Sequence, residues 1–340
     1  MKASVIFLSY NHASFVGDAL RSALNQDYPE YELIVHDDGS VDGTRQIIES
    51  ILASEVPPHV RVVLAGDGKN HGLVEAFNRA TRVSTGEILL HISGDDISYP
   101  CRLKRTAEVF KKHPDVMLVV SETQRIDENG NNLKHPRCIK ADEIFSYDKK
   151  PSYIYAKSPI LGAAAAYRAR IAKDFDPIKP DFCHAEDNVY WVRALILGKI
   201  YYIAEPLLSY RLHTNNFTEN QWKWRNGITD SLKDAHLQFA KKHAKNFLQW
   251  ELDIRHALRN DFINKSKAAQ ILKTAKLDAM RWALLVSSLK VEPWGEWFRL
   301  ALESLKFGGV KVTISKLKLR LSNRRRLRYW NRHEKSMIGQ

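Results

Sequence analysis

The chain has 340 residues, of which 44% are hydrophobic and 27% are charged. This balance is typical of folded globular proteins and excludes a disordered, fibrous or integral membrane protein; the length exceeds the ~250 residues that one core usually fills. Three cysteines, Cys101, Cys138 and Cys183, cannot form a disulfide framework or a four-cysteine zinc site. We therefore expect two domains, folded in a reducing compartment.

The net charge of +13 is concentrated near the carboxyl terminus. Ten basic side chains and one acidic side chain lie between Lys311 and Lys335, after an aromatic and aliphatic stretch from Trp282 to Leu305. This pattern favours an anionic membrane surface over nucleic acid as the partner. The other interpretation, a solvated face of a helix that packs on the protein, stays open.

The amino terminus lacks the features of a signal peptide, and no apolar run is long enough to cross a bilayer. We therefore expect a cytoplasmic protein. If the basic segment binds lipid, the protein attaches peripherally to the cytoplasmic face of the inner membrane.

Short apolar runs recur about every 28 residues, which is the length of one strand, one helix and two turns. The runs are Val5–Leu8, Leu33–Val35, Val60–Leu64, Ile88–Ile92 and Val116–Val120. An apolar stripe from Phe15 to Leu24 predicts a helix between the first two. Strands that are apolar on successive residues are covered on both faces, so the pattern predicts an open, mostly parallel α/β sheet.

The pattern changes after Ser121. We expect an antiparallel segment at Ile160–Tyr167, a helix at Val189–Ile196, and a strand pair at Ile200–Ile203 and Leu207–Leu212. From about Thr218 the sequence is typical of helices. We therefore predict a sheet domain over residues 1–216 and a helical, basic C-terminal region over residues 217–340 that packs on it.

Acidic residues follow two of the predicted strands, where ligands bind in open α/β sheets. Asp37 and Asp38 end the second run, and Asp95 and Asp96 follow the fourth. Four carboxylates at one edge repel one another unless a cation or a hydrogen-bond donor compensates. Oxygen ligands such as Asp95 and Asp96 suit Mg²⁺ or Mn²⁺, which keep positions open for substrate phosphates. We therefore predict a metal-diphosphate site, with helix capping as the favoured role of Asp42.

Six short motifs follow one another along the first 216 residues. They are Ser9-Tyr10-Asn11, Asp37-Asp38-Gly39-Ser40, Asn70-His71-Gly72 with Ala76-Phe77-Asn78, Ser93-Gly94-Asp95-Asp96, Glu186-Asp187 and Tyr210-Arg211-Leu212-His213. In this order and spacing they resemble the family-2 glycosyltransferases, which share a GT-A-type nucleotide-binding fold. The resemblance covers about Ala3 to Asn216 and makes residues 1–216 the nucleotide-sugar-binding catalytic domain.

The resemblance also implies roles for individual residues. Tyr10 would lie against the nucleotide base and Asp38 would read its edge. The full set of nucleotide-binding residues would be Ser9, Tyr10, Asn11, Asp37, Asp38, Gly72, Asn78 and Asp95. Asp95 and Asp96 would hold Mg²⁺ or Mn²⁺, and His213 would be either a further ligand or a structural residue. Many members have an aspartate where this chain has Ser93, which leaves open how tightly the ion is held without substrate.

In such a family member, the enzyme moves a sugar from a nucleotide-diphosphate sugar to a hydroxyl of a glycan or lipid-linked acceptor, as in surface-polysaccharide biosynthesis. Asp187, or failing it Glu186, would remove the acceptor proton in a single displacement that inverts the anomeric carbon. Adjacent residues at a helix start point in different directions, so only one faces the acceptor. Asp187 is the choice that the resemblance favours.

Two other functions stay open. A nucleotidyltransferase would need a basic, glycine-rich loop after the first strand, whereas this chain has Asn11-His12-Ala13-Ser14 there. A basic protein that binds membrane or nucleic acid without catalysis would depend on the segment Lys311–Lys335 alone. The sequence names neither the donor sugar nor the acceptor.

Overall fold

The computed structural model describes residues 1–134, 139–147, 161–183, 185–214 and 246–272. The basic segment Lys311–Lys335, the aromatic stretch before it and the proposed boundary at Asn216 lie outside the described residues. Within those residues, no helix is both long enough and apolar enough to cross a membrane.

The described residues contain one mixed sheet. Its strands are β1 (Ala3–Ser9), β2 (Tyr31–Asp37), β3 (Val60–Leu64), β4 (Ile88–Ser93), β5 (Ile97–Ser98), β6 (Val116–Ile126), β7 (Glu143–Phe145), β8 (Ala165–Arg168) and β9 (Lys199–Arg211). They are ordered β3-β2-β1-β4-β8-β6-β9-β5, and β7 pairs with β9. β1 to β4 are mutually parallel, as are β6 and β9, while β8 runs antiparallel between the two groups. The mostly parallel α/β sheet is confirmed.

Helices cover both faces of the sheet. They are α1 (Val16–Leu24), α2 (Thr44–Ser54), α3 (Leu73–Val83), α4 (Arg102–Lys112), α5 (Arg170–Lys173) and α6 (Asp187–Leu197). Strand residues that are buried on both faces divide between two cores, one against α1 and α4 and the other against α3 and α6. This double cover is why β1, β2 and β4 are apolar on successive residues.

The expected strand pair at Ile200–Ile203 and Leu207–Leu212 is wrong. A single strand, β9, runs through both segments beside β6. Its register shifts where Ser121 pairs with Ile203 but Glu122 pairs with Pro206, which is a β-bulge. The bulge puts Glu205 and Pro206 inside the strand, where the sequence pattern is typical of a turn. β6 likewise continues to Ile126, past the expected end at Val120.

Residues 246–259 and 265–272 are helical and pack against α6. The indole N–H of Trp250 donates to the carbonyl of Asn188 (2.7 Å), and the Lys267 ammonium donates to the carbonyl of Ile196 (2.8 Å). α6 therefore lies between the sheet and these helices. This position explains why residues 189–196 are all buried.

Candidate active site

The loops after β1, β2 and β4 meet at the carboxyl edge of the sheet. In the strand register, Ser9, the last residue of β1, pairs with Asp37 of β2, and Leu8 pairs with Ser93 of β4. The Ser9 hydroxyl donates to Asp37 (3.2 Å). Because the strands are parallel neighbours, the motif residues that follow them share one edge.

The loop after β1 is tied to the loop after β2. The Asn11 N–H donates to the Ser40 hydroxyl (2.9 Å), and the Asn11 amide oxygen accepts the N–H of Val41 (3.0 Å). Asn11 has φ of 54°, a left-handed conformation that asparagine tolerates. Tyr10, held between these bonds and β1, is 44% exposed and available to a ligand.

The two carboxylates after β2 are bound by local donors. Asp37 accepts the N–H (3.0 Å) and the hydroxyl of Ser40, as in a turn. Asp38 is buried, and its two oxygens accept the N–H groups of His71 (2.9 Å) and Gly72 (2.8 Å). Asp38 therefore joins the β2 loop to the start of α3, and hydrogen-bond donors compensate its charge.

Asp42 lies two residues before α2, which begins at Thr44. One of its oxygens accepts the N–H (3.1 Å) and the hydroxyl (2.6 Å) of Thr44, and the other accepts the N–H of Ala13 (3.0 Å). These bonds form a turn that leads into α2, and the N-cap residue is Gly43 instead of Asp42.

Asp95, after β4, lies beside two imidazoles. Its Oδ2 is 3.1 Å from Nε2 of His213 and 3.8 Å from Nε2 of His12. Burial opposes ionisation of Asp95, but the His213 hydrogen bond and both neighbouring imidazoles outweigh it, so the pKa of Asp95 is lowered. The structure thus brings Asp95 and His213 together at the carboxyl edge of the sheet.

Asp96 does not join this pair. It is fully buried, and its Oδ1 accepts the N–H of Arg211 (2.9 Å), while Oδ2 has no hydrogen-bond partner within the described part of the chain. Burial, and next the charge of Asp95, raise the pKa of Asp96 well above its usual value. The Arg211 guanidinium is also turned inward, bonding the carbonyls of Asp95 (3.0 Å) and Glu128 (3.0 Å). Asp96 and Arg211 therefore bond to the protein backbone and support the loop that contains Asp95.

Glu186 and Asp187 open α6 in different environments. Glu186 is buried, with Oε1 3.2 Å from Nδ1 of His91 and 3.3 Å from the Tyr167 hydroxyl. Burial opposes its ionisation, but His91 outweighs it and lowers the pKa of Glu186. Asp187 is partly exposed, and its Oδ2 accepts the N–H of Gly162 (3.2 Å). Burial, and next the charge of Glu186, raise the pKa of Asp187 to about 7.

Asn78 is placed away from the ligand edge. It is buried, and its amide donates to the carbonyl of Ile178 (2.8 Å) and accepts the N–H of Ile178 (3.2 Å). Both polar atoms of the side chain are thus used to hold residue 178 on α3. Gly72, in contrast, stays at the edge, with φ of 82° at the start of α3.

The sequence around this site matches the model of a known protein family. The model described as Glycosyl transferase family 2 matches residues 4–175, which is half of the chain and includes the β1, β2 and β4 loops. The chain belongs to glycosyl transferase family 2.

Bacterial members of this family are similar in sequence. An uncharacterized glycosyltransferase of Nostoc sp. is 30% identical over 64% of this chain and 66% of its own length. A Bacillus subtilis protein named as a teichuronic acid biosynthesis glycosyltransferase, TuaG, is 28% identical over 65% of this chain and 82% of its length. A second B. subtilis glycosyltransferase, EpsE, is 32% identical over 66% of this chain and 77% of its length. The chain thus spans about two thirds of the Nostoc relative.

Solved glycosyltransferases share the fold. The S. aureus protein TarS, residues 1–349 in complex with UDP-GlcNAc, has a TM-score of 0.55 at 19% identity, covering 94% of this chain and 92% of that fragment. The mannosyltransferase PcManGT of Pyrobaculum calidifontis, in complex with GDP-Man and Mn²⁺, has a TM-score of 0.54 at 17% identity, covering 94% and 86%. The family-2 chain therefore has a GT-A-like fold.

Sequence reasoning missed several residues of this family-2 site. His91 and Tyr167 carry no motif, because each lies inside an apolar strand. Gly162 is packed so closely that a Cβ there would lie 2.7 Å from Oε1 of Glu186, and a Cβ on Gly94 would lie 2.6 Å from the Ser9 Cβ. Arg102 is also buried and donates to the carbonyl of Ala163 (2.8 Å). Of these residues, only Gly94 lies within a motif that the sequence analysis recognised, Ser93-Gly94-Asp95-Asp96.

Proposed function

We propose that this family-2 glycosyltransferase moves a sugar, with inversion, from a nucleotide-diphosphate sugar to a hydroxyl of a glycan or lipid-linked acceptor in surface-polysaccharide biosynthesis. The observation that carries the proposal is Asp187, a partly exposed carboxylate at the start of α6 that the Gly162 N–H orients (3.2 Å), in a chain of glycosyl transferase family 2. Burial and the charge of Glu186 also raise the pKa of Asp187 to about 7. A general base is most effective when its pKa lies near the working pH. The teichuronic acid name of the TuaG relative supports a surface polysaccharide as the product.

The mechanism is a single displacement. Asp187 removes the proton of the acceptor hydroxyl while the hydroxyl oxygen attacks the anomeric carbon. The nucleoside diphosphate leaves from the opposite face. The Gly162 N–H orients Oδ2 of Asp187, and the Asn188 side-chain amide donates to Oδ1 (2.8 Å). Buried Glu186 stays ionised and keeps the proton affinity of its neighbour high. Asp187 is therefore the base.

A divalent ion fits beside Asp95. No group of three His, Cys, Asp or Glu side chains among the described residues is arranged to hold a metal ion. One carboxylate and one imidazole, Asp95 and His213, would hold Mn²⁺ or Mg²⁺ and leave positions for phosphate oxygens. The bound cation would supply positive charge that stabilises the departing diphosphate. We assign Asp96, which is buried against Arg211, to support of this loop.

Nucleotide binding is assigned to the loops after β1 and β2. Exposed Tyr10 would stack on the base, while Ser9, Asn11, Asp37, Asp38 and Gly72 shape the loops around it. PcManGT holds GDP-Man with Mn²⁺ and TarS holds UDP-GlcNAc, so GDP- and UDP-sugars are the first donors to test.

The direct test is a thermal-shift panel of nucleotide sugars with and without Mn²⁺, followed by transfer to glycan and lipid-linked acceptors. A donor at 100-fold excess over its Kd stabilises the folded chain by ~2.7 kcal/mol. We expect one sugar nucleotide to bind and NMR of the product to reveal the inverted anomeric configuration. Retained configuration would contradict the single displacement, and the absence of any bound sugar nucleotide would contradict the function.

Asp95→Asn is expected to weaken Mn²⁺ binding at least about tenfold in the presence of UDP or GDP, because it removes a charged ligand. Electron paramagnetic resonance of free Mn²⁺ measures this directly. The value of kcat/KM should fall about 10²- to 10³-fold. Asp18→Asn, at an exposed position of α1, is the matched control. Unchanged Mn²⁺ affinity in Asp95→Asn would remove Asp95 from the cation site.

The pH profile of kcat/KM should have an acid limb near pH 7. Asp187 must be ionised to accept a proton, so the rate falls as pH decreases through its pKa of about 7. Glu186→Gln removes the adjacent negative charge, which lowers the pKa of Asp187 and moves the limb to lower pH.

Among the described residues, the other titratable groups that interact with this pair are His91 of β4, Tyr167 of β8, Cys183 before α6 and Tyr190 of α6. Glu186→Gln keeps these four side chains but removes the Glu186 charge that acts on them, and among the titratable groups only Asp187 is assigned a role in proton transfer. Donor affinity, measured alongside, reports whether the variant keeps its fold. An acid limb that stays in place in a folded Glu186→Gln would contradict the coupling of the two carboxylates.

A further inference from the structure

His91 lies in the middle of β4, behind the catalytic pair. It is 3% exposed, and its Nδ1 is 3.2 Å from the carbonyl oxygen of Gly162 and 3.2 Å from Oε1 of Glu186. Its Nε2 is buried and has no hydrogen-bond partner among the described residues. The imidazole thus touches the base site through one nitrogen only.

That nitrogen must carry a proton. A carbonyl oxygen only accepts hydrogen bonds, and an ionised carboxylate also only accepts. With both acceptors at 3.2 Å, the Nδ1–H of His91 is shared between Gly162 and Glu186. One donor therefore ties the loop before β8 to the start of α6.

Gly162 carries the constraint onward to Asp187. Its carbonyl faces His91, and its N–H, which belongs to the preceding peptide unit, donates to Oδ2 of Asp187 (3.2 Å). A Cβ on residue 162 would lie 3.3 Å from both Cβ and Oδ2 of Asp187, so Gly162 and the carboxylate are in close contact. The two peptide units meet at the Gly162 Cα, so a shift of this residue would move the base.

Aromatic rings fix the imidazole itself. Phe77 of α3 meets His91 edge-to-face with ring centroids 5.3 Å apart, and the same ring meets Tyr167 at 6.0 Å and Tyr190 at 5.6 Å. The Tyr167 hydroxyl also lies 3.3 Å from Oε1 of Glu186. These rings pack around the imidazole, and its Nδ1 lies toward the two acceptors.

We propose that His91 is a positioning residue for the base: its single Nδ1–H holds the Gly162 carbonyl and the Glu186 carboxylate, and thereby places Asp187 against the acceptor hydroxyl. The inference rests on the proposed glycosyl transfer and deepens it. It assigns His91 no contact with donor or acceptor. Its loss should therefore lower kcat and leave donor binding unchanged.

The test compares three replacements of His91. In His91→Asn the side-chain amide nitrogen occupies the place of Nδ1 and keeps the donor; in His91→Gln the amide reaches toward the place of Nε2 instead. His91→Phe removes the donor and keeps a planar ring. We expect His91→Asn to retain kcat within about threefold, and His91→Gln and His91→Phe to lose about 10- to 100-fold, as a misplaced reacting group does.

The donor Kd, measured by titration calorimetry with the sugar nucleotide that the wild-type chain uses, should change less than about twofold in each variant that transfers more slowly. If His91→Phe does not fold, the comparison of His91→Asn with His91→Gln decides. Equal kcat in those two variants, or equal losses of kcat and donor affinity in all three, would overturn the positioning role. A wild-type chain that transfers no sugar would instead overturn the proposed function.

Discussion

Replacing Asp187 by asparagine is expected to lower kcat about 10²- to 10⁴-fold and to leave the donor Kd within about twofold. Asparagine has nearly the same shape, and its amide oxygen can still accept the Gly162 N–H that orients Oδ2 in the wild-type chain. It cannot take up the acceptor proton. Initial rates of sugar transfer at saturating donor, together with calorimetric donor binding, measure both quantities.

A matched control for Asp187→Asn is available in the same part of the chain. Asp181 is exposed and lies six residues earlier, so Asp181→Asn changes the charge equally without touching the base. This control should keep wild-type kcat. If Asp187→Asn turned over at a rate comparable with the control, Asp187 would not be the base, and buried Glu186 would become the remaining candidate at the start of α6.

The parallel part of the sheet could be predicted because burial on both faces leaves a strong signal in sequence. β1, β2 and β4 are each buried along nearly their whole length, and each contains at least three successive apolar residues. β9 could not be predicted as one strand, because its bulge beside Glu122 places Glu205 and Pro206 where a turn is expected.

The candidate site was predictable where the chemistry requires unusual residues. Asp95 stands out because it directly follows a buried strand at the edge where ligands bind, whereas Asp187 stands out only through the family resemblance. Both assignments stay predictions. Asn78 has the same polar character, yet it bonds the backbone of Ile178, a partner 100 residues away that no local pattern reveals. Tertiary contacts of this kind decide whether a polar residue faces a ligand or the core.

His91 illustrates the opposite case. A histidine inside the apolar run of β4 is typical of a core residue, and its burial agrees with that interpretation. Its importance arises only when α6 and the loop before β8 bring Glu186 and Gly162 to its Nδ1. Sequence separations of 71 and 95 residues, from positions 91 to 162 and 186, hide this contact.

A buried ion pair joins α6 to the helix at residues 246–259. The Arg193 guanidinium donates to both oxygens of Asp253, at 2.8 and 3.0 Å, and both side chains are almost fully buried. Arg193 also donates to the carbonyls of Ile171 (3.1 Å) and Asp176 (2.8 Å). It therefore holds three segments around the helix that begins with Asp187.

Asp253→Ala is expected to destabilise α6 by ~3–5 kcal/mol, because it leaves the Arg193 charge buried without its partner. Hydrogen exchange of peptides from residues 187–197, read by mass spectrometry in the full chain, measures this local free energy of opening. Burial raises the pKa of Asp253 even though Arg193 opposes the shift. Because the desolvation of two buried charges offsets much of their attraction, we expect the pair to be costly to break and to add little net stability.

The double variant Arg193→Met with Asp253→Leu distinguishes the cost of breaking the ion pair from its net contribution to stability. It removes both charges and leaves the carbonyls of Ile171 and Asp176 without their donor, while the buried Gln249 amide loses its acceptor on Asp253 in both this variant and Asp253→Ala. Replacing a buried ion pair by apolar side chains of similar volume is often neutral or stabilising, whereas a single buried charge without its partner is costly. We therefore expect the double variant to be more stable than Asp253→Ala, although it carries one more substitution. If the double variant were the less stable of the two, the ion pair itself would be the source of stability, and α6 would depend on it to hold Asp187 in place.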